Sequence, residues 1–250
     1  MQSRGPGGVG VLIRREKGGY GADLTTCREA VSVMKRQELF LAMHRAMLEA
    51  LGPSGWWPAD SAFEMAVGAI LTQNTNWANV ARAIDNLKAS GAFSAQGLFA
   101  LPAAELAELI RPAGYFRVKA ARLRNLLALI VQDLGGDITT LADQGLDAAR
   151  QTLLAVRGVG PETADSILLY GVSLPSFVVD AYTARICSRH ALAAEDAGYE
   201  ELRELFMDAL PEDVALYNEL HALLVRVGNG WCRPRAPRCE TCPLGAFLPA

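Results

Sequence analysis

Residues 148–180 constrain the fold more than any other stretch. Leu153, Leu154 and Val156 give the buried stripe of a helix, which Gly158 and Gly160 then end. Two glycines around Val159 allow a tight turn with positive φ and bare backbone. Pro161 suits the first position of a second helix, where its missing N–H costs nothing. Ala164, Ile167, Leu168 and Tyr170 form that helix's apolar face. The pattern predicts helix, glycine hairpin, helix. The hairpin N–H groups and the start of the second helix carry partial positive charge, an arrangement suited to phosphate. Gly-Val-Gly alone fits any helical hairpin, so the surrounding residues decide.

The rest of the chain reads as helices too. Apolar residues recur with helical period after Met34, over Phe63–Leu71, 78–89, 119–133, 198–209 and 212–227, and in two short segments around Leu101-Pro102. Ser61 with Glu64 three residues on forms a capping box, and Asp147 caps the first helix of the hairpin motif. No strand signal exceeds a few residues. The expected fold class is all-α. Residues 1–33 are Gly- and Arg-rich without period and read as a loose tail.

Composition narrows the function. The net charge of −3 speaks against coating DNA by bulk charge, but leaves room for a local basic face. Arg111, Arg117, Lys119, Arg122 and Arg124 form one basic stretch, and Arg226, Arg233, Arg235 and Arg238 another. No apolar run is long enough for a membrane span or a signal peptide, so a cytoplasmic protein is expected, nucleoid-associated in a bacterium. The cysteines are Cys27, Cys187, Cys232, Cys239 and Cys242. The last three cluster, which reads as metal binding rather than disulfides.

Leu-Ala-Val-Arg-Gly-Val-Gly-Pro-Glu-Thr-Ala-Asp-Ser-Ile-Leu, followed by Val-Val-Asp-Ala-Tyr-Thr-Ala-Arg-Ile, resembles the helix-hairpin-helix (HhH-GPD) DNA glycosylases of the endonuclease III type. It also has features of the branch that removes alkylated purines. The resemblance covers most of residues 35–242. It implies a six-helix barrel over 62–174, carrying the hairpin motif at 148–171. A second helical module would combine 34–61 with 175–250, and a flipped base would sit in the cleft between the two. The implied function is a base-excision-repair glycosylase that acts as a monomer on duplex DNA with a damaged or mismatched base.

The resemblance assigns roles residue by residue. Gly158, Val159 and Gly160 would grip DNA backbone. Gln73 would fill the gap left by the flipped nucleotide, and Tyr115 would wedge between bases. Lys119, Arg233 and Arg235 would face DNA. Asp180 matches the catalytic aspartate, and a carboxylate there can stabilise the sugar's developing positive charge and position water. It can equally cap the helix that follows it.

Glu162 stands where bifunctional relatives carry a lysine. A carboxylate cannot form a Schiff base, so hydrolysis without strand cleavage is expected. Glu162 is also an ordinary first-turn residue for a helix dipole. The rivals are a glycosylase/AP lyase using another amine, such as Lys119, and a non-catalytic damage-binding protein. Trp77 and Tyr182 either line the pocket or pack in the core.

Cys232, Cys239 and Cys242 keep three of the family's four iron–sulfur ligand positions, and Leu248 stands at the fourth. Three outcomes follow: a [4Fe–4S] cluster with a substitute ligand such as Cys187, zinc with a histidine, or no metal. The intact spacing favours the cluster.

Overall fold

The computed structural model describes residues 24–249, with side chains from residue 35. Eleven α-helices account for most of the described residues, among which there is no strand. Helix α1 (Leu24–Leu51) begins inside the segment read as a tail; the rest of that segment lies outside the described residues. Helices α2 (Ala62–Thr72), α3 (Trp77–Ala89), α4 (Ala95–Ala100) and α5 (Ala103–Leu109) follow. Helix α6 (Phe116–Ala128) continues into a wide turn at Leu129–Asp133, and α7 (Leu146–Leu154) and α8 (Pro161–Ser166) flank the hairpin. Helices α9 (Ala181–Arg189), α10 (Tyr199–Met207) and α11 (Val214–Gly230) complete the set.

Short polar side chains start these helices by accepting orphan backbone N–H groups. Ser61 accepts from Glu64 N on α2, Asn76 from Asn79 N on α3, and Asp213 from Ala215 N on α11. The Ser61–Glu64 box closes one residue early, because the Glu64 carboxylate accepts from Asp60 N rather than Ser61 N. Asp147 does not cap α7. Gly145 holds that position, and Asp147 lies in the first turn. Its charge still suits the helix N-terminus.

Two buried apolar clusters form the interior. One gathers residues between Met65 and Val172 from α2 through α8. The other joins Phe40, Met43 and Met47 of α1 to Phe177–Val179, α9, α10 and α11, with Cys232 and Leu244. Phe177 stacks between Phe206, at 4.1 Å, and the edge of Tyr217.

A buried polar network spans the two clusters. Asp165 of α8 has no solvent exposure. Its carboxylate accepts from Arg150 of α7 at 2.8 and 3.1 Å, Ser176 Oγ at 2.5 Å and Tyr199 OH at 2.8 Å. Arg150 also reaches Glu200 at 2.7 Å, and Arg203 donates to Ser176 Oγ. Every charge in this network has a partner, which is the condition for burying it.

Candidate active site

The hairpin is built as its residues dictate, with one division of labour. Gly158 has φ of +100°, and a Cβ there would meet Arg122 Cγ at 2.3 Å, so both dihedral and space require glycine. Gly160 has φ of −97°, and a Cβ on it would meet nothing. Its bare face is open to the outside. Val159 does not present itself to a ligand: its side chain is buried in the first cluster and its N–H bonds Val156 O at 3.0 Å. It anchors the hairpin, because an apolar side chain gains more from the core than from water.

Tyr115 stands at the tip of a left-handed turn (φ +46°) with 74% of its surface exposed, and Val118 beside it is 51% exposed. With Gln73, Asn74, Lys119 and Arg122 they line a polar groove of about 320 Å³. Gln73 is tied inside the protein. Its amide donates to Gly158 O at 3.1 Å and Thr163 Oγ1 at 3.0 Å, and its carbonyl accepts from Arg122. Entering a duplex gap requires releasing the two donated bonds.

Lys119, expected to face DNA, lines this groove from a buried position rather than projecting from it. It is 2% exposed, and its ammonium donates to Leu71 O and Ala113 O, both at 2.8 Å. Burial, and then the Arg122 charge, lower its pKa to about 8. The two carbonyls close the end of α2 and the turn before α6, so Lys119 is a buried strut. One lysine within a run of arginines carries no sequence signal that distinguishes these two uses.

Asp180 caps α9. Its Oδ1 accepts from Thr183 N at 2.7 Å and Thr183 Oγ1 at 2.9 Å. Its other oxygen, Oδ2, lies 3.8 Å from Nε2 of His221 on α11. Glu162 opens to solvent but is ringed by protein. Desolvation, and then the Asp180 charge, push its pKa up to about 7.

An aromatic wall reaches Asp180 through His221, and sequence reasoning missed most of it. Trp57 lies 5.3 Å from Trp77 and 5.5 Å from Tyr170, and Trp56 lies 5.6 Å from Trp77. The Tyr170 hydroxyl hydrogen-bonds His221 Nδ1. The loop carrying both tryptophans is pinned to α11: Ser54 donates twice to Glu219 at 2.8 Å, and Arg226 donates to Leu51 O and Gly52 O. Trp57 packs over Gly68 of α2, where a Cβ would make ordinary contact with the indole at 3.5 Å. The tandem Trp in a Gly/Pro loop was the available signal. Trp77 belongs to this wall. Tyr182 instead packs on Gly228, where a Cβ would lie 2.4 Å from it.

Cys232, Cys239 and Cys242 line one apolar cavity with Arg189, His190, Trp231 and Leu248. Leu248 thus does reach the place expected for a fourth ligand. Cys187 does not. It is buried in the second cluster, where burial pushes its thiol up to about 12. A protonated thiol in an apolar core is a poor ligand. Among the described residues no three His, Cys, Asp or Glu side chains converge to hold one metal ion. The three thiols share that cavity, and cysteine thiolates are the donors that hold either an iron–sulfur cluster or zinc. Arg233, Arg235 and Arg238 are exposed on the same loop.

The sequence profile described as "HhH-GPD superfamily base excision DNA repair protein" matches residues 67–212, more than half the chain. The chain belongs to this family. HhH-GPD proteins are DNA glycosylases, so DNA is the partner. A Methanocaldococcus jannaschii protein provisionally named as a DNA repair glycosylase is 43% identical over 211 residues, covering 84% of this chain and 96% of its own. A Helicobacter pylori 3-methyladenine DNA glycosylase bound to 1,N6-ethenoadenine is 27% identical, with a TM-score of 0.67, 78% of this chain and 97% of that one covered. Endonuclease III in a trapped covalent complex with DNA shares the fold at 21% identity, with a TM-score of 0.72 over 85% of this chain and 95% of its own. This HhH-GPD protein has no helix, among the described residues, long and apolar enough to cross a membrane.

Proposed function

We propose that this protein is a monofunctional glycosylase acting as a monomer on alkylated purines in duplex DNA. The observation that carries the reading is an aromatic group of Trp56, Trp57, Trp77 and Tyr170 joined through His221 to Asp180, whose charge Glu162 also feels. Purines alkylated on a ring nitrogen are electron-poor and often cationic. Aromatic faces attract such rings, and carboxylates attract their charge. A cationic base also leaves as a neutral molecule without prior protonation, so the site needs no strong acid. The likeness to the 3-methyladenine glycosylase supports this substrate class.

In this reading Gly158 and Gly160 offer their backbone to phosphate, and Tyr115 enters the stack as the base flips out. The groove beside Tyr115 follows the duplex, with Gln73 and Arg122 on its floor, and the exposed Arg233 and Arg235 meet backbone phosphate. Asp180 stabilises the sugar cation as the C1′–N bond breaks and its electron pair departs with the base. Water then attacks C1′, and Asp180 accepts its proton. Glu162 adds negative charge near Asp180 when ionised. A panel of duplexes carrying methylated and etheno purines, oxidised pyrimidines, uracil and G·T mismatches tests the substrate class. Release confined to pyrimidines would refute it.

The product is expected to be an intact abasic site. Strand breakage by β-elimination is accelerated by an amine adduct, and the one lysine near the groove has its ammonium engaged by two carbonyls. Borohydride should trap no protein–DNA adduct, and strands should break only after alkali. An adduct lost in Lys119→Ala would establish lyase chemistry instead.

Cys232, Cys239 and Cys242 would hold a [4Fe–4S] cluster by three thiolates, with a fourth ligand that is not cysteine. The group would supply structural order to the arginine-bearing loop, and no chemistry at the base. Protein purified without oxygen is expected to be yellow-brown with a broad absorption near 400 nm, on the order of four irons per chain. Colourless, iron-free protein would remove the cluster from this account.

A further inference from the structure

His221 is a buried side chain whose Nε2 has no hydrogen-bond partner. An orphaned polar atom in a packed interior asks for a function, since leaving it unpaired costs stability. Its neighbours define one. Nδ1 is engaged by the Tyr170 hydroxyl, and Nε2 faces Asp180 Oδ2 at 3.8 Å. The two oxygens of Asp180 are therefore held differently. Oδ1 is fixed by two bonds from Thr183, while Oδ2, the oxygen left to work, looks at His221. Phe177 packs at right angles to the imidazole and Tyr170 closes its other end, so the ring has little freedom to turn.

We propose that His221 is a positioning residue: Tyr170 holds it as the Nε2–H tautomer, and that N–H aims Asp180 Oδ2 at the attacking water. The inference rests on the reading of Asp180 given above. Tyr170 keeps its proton, because burial and then the Asp180 charge raise its pKa well above the ordinary value. A neutral hydroxyl can donate to Nδ1 or accept from it; the Asp180 carboxylate facing Nε2 at 3.8 Å selects the proton on Nε2, and Tyr170 then donates to Nδ1. Burial also disfavours imidazolium at His221, against the opposing pull of Asp180. A neutral N–H donor orients the carboxylate and leaves its full charge for the sugar cation. At 3.8 Å the contact is longer than a hydrogen bond, and such contacts commonly tighten when substrate binds.

Single-turnover base release and duplex Kd, measured together, test this. His221→Phe is expected to slow release by about ten- to a hundredfold, the scale of a misplaced catalytic group, with Kd within twofold of wild type. His221→Gln, which restores an N–H, should recover most of the rate. His221→Phe should cost nothing further in an Asp180→Asn background. Tyr170→Phe is the second variant should His221→Phe not fold, and it should slow release and shift the tautomer equilibrium. The 15N chemical shifts of His221 report the tautomer directly. A proton on Nδ1, a wild-type rate in His221→Phe, or a loss confined to Kd would overturn the proposal. Asp180→Asn activity at wild-type level would instead overturn the reading of Asp180.

Discussion

Asp180→Asn is expected to cut single-turnover base release by at least about a hundredfold, while duplex affinity changes no more than a few-fold. A general base that also stabilises charge contributes on the order of 10² or more, and asparagine keeps the shape but not the charge. Asparagine can still accept from Thr183 N, so α9 keeps its cap and the fold should hold. Duplex contacts proposed for the hairpin, Tyr115 and the arginine loop lie on other segments and are left intact. Residual release above about a tenth of wild type, in protein with an unchanged unfolding midpoint, would end the catalytic assignment.

Asp165→Ala is expected to destabilise the fold by about 3 to 5 kcal/mol, the range for breaking a buried ion pair from one side. The substitution strands Arg150 and Arg203 without their shared carboxylate and leaves Ser176 and Tyr199 with unmet hydroxyls. Because Arg150 and Asp165 lie on α7 and α8 while Tyr199, Glu200 and Arg203 lie on α10, the loss loosens one apolar cluster from the other. The Asp180–Glu162 pair bridges the same division, so activity should fall with stability. Urea unfolding measures the loss. Tyr199→Phe, which removes one bond and no charge, should cost only about 1 kcal/mol. A loss below about 1 kcal/mol for Asp165→Ala would mean that the network contributes little net stability.

The contrast between Asp180 and Asp165 shows what could be read in advance. Asp180 follows an apolar run and starts a helix, a local pattern that fixes its cap and, with the family resemblance, suggests its chemistry. Asp165 sits within the Thr-Ala-Asp-Ser start of α8 like any surface residue, and nothing nearby in sequence announces its burial. Its partners come from positions 150, 176, 199 and 203, and only folding brings them together. Cys187 and Lys119 carry the same lesson. Lys119 sits in a run of arginines and Cys187 is a spare thiol, yet the thiol is sealed in a core and the ammonium is closed over two carbonyls.

The sequence by itself determined the helical class, most helix starts, the hairpin with Pro161 at its exit and the spacing of three cysteines. These are local properties: apolar period, a capping oxygen and glycine's dihedral freedom act within a few residues. Tertiary structure alone decided which side chains gather at Asp180. Trp56 and Trp57 reach Tyr170 because Glu219 and Arg226 pin their loop to α11, and His221 reaches Asp180 because α11 packs along α9. Such encounters depend on how helices pack across a core. The period of an apolar stripe says that a helix buries one face, but it does not say against what.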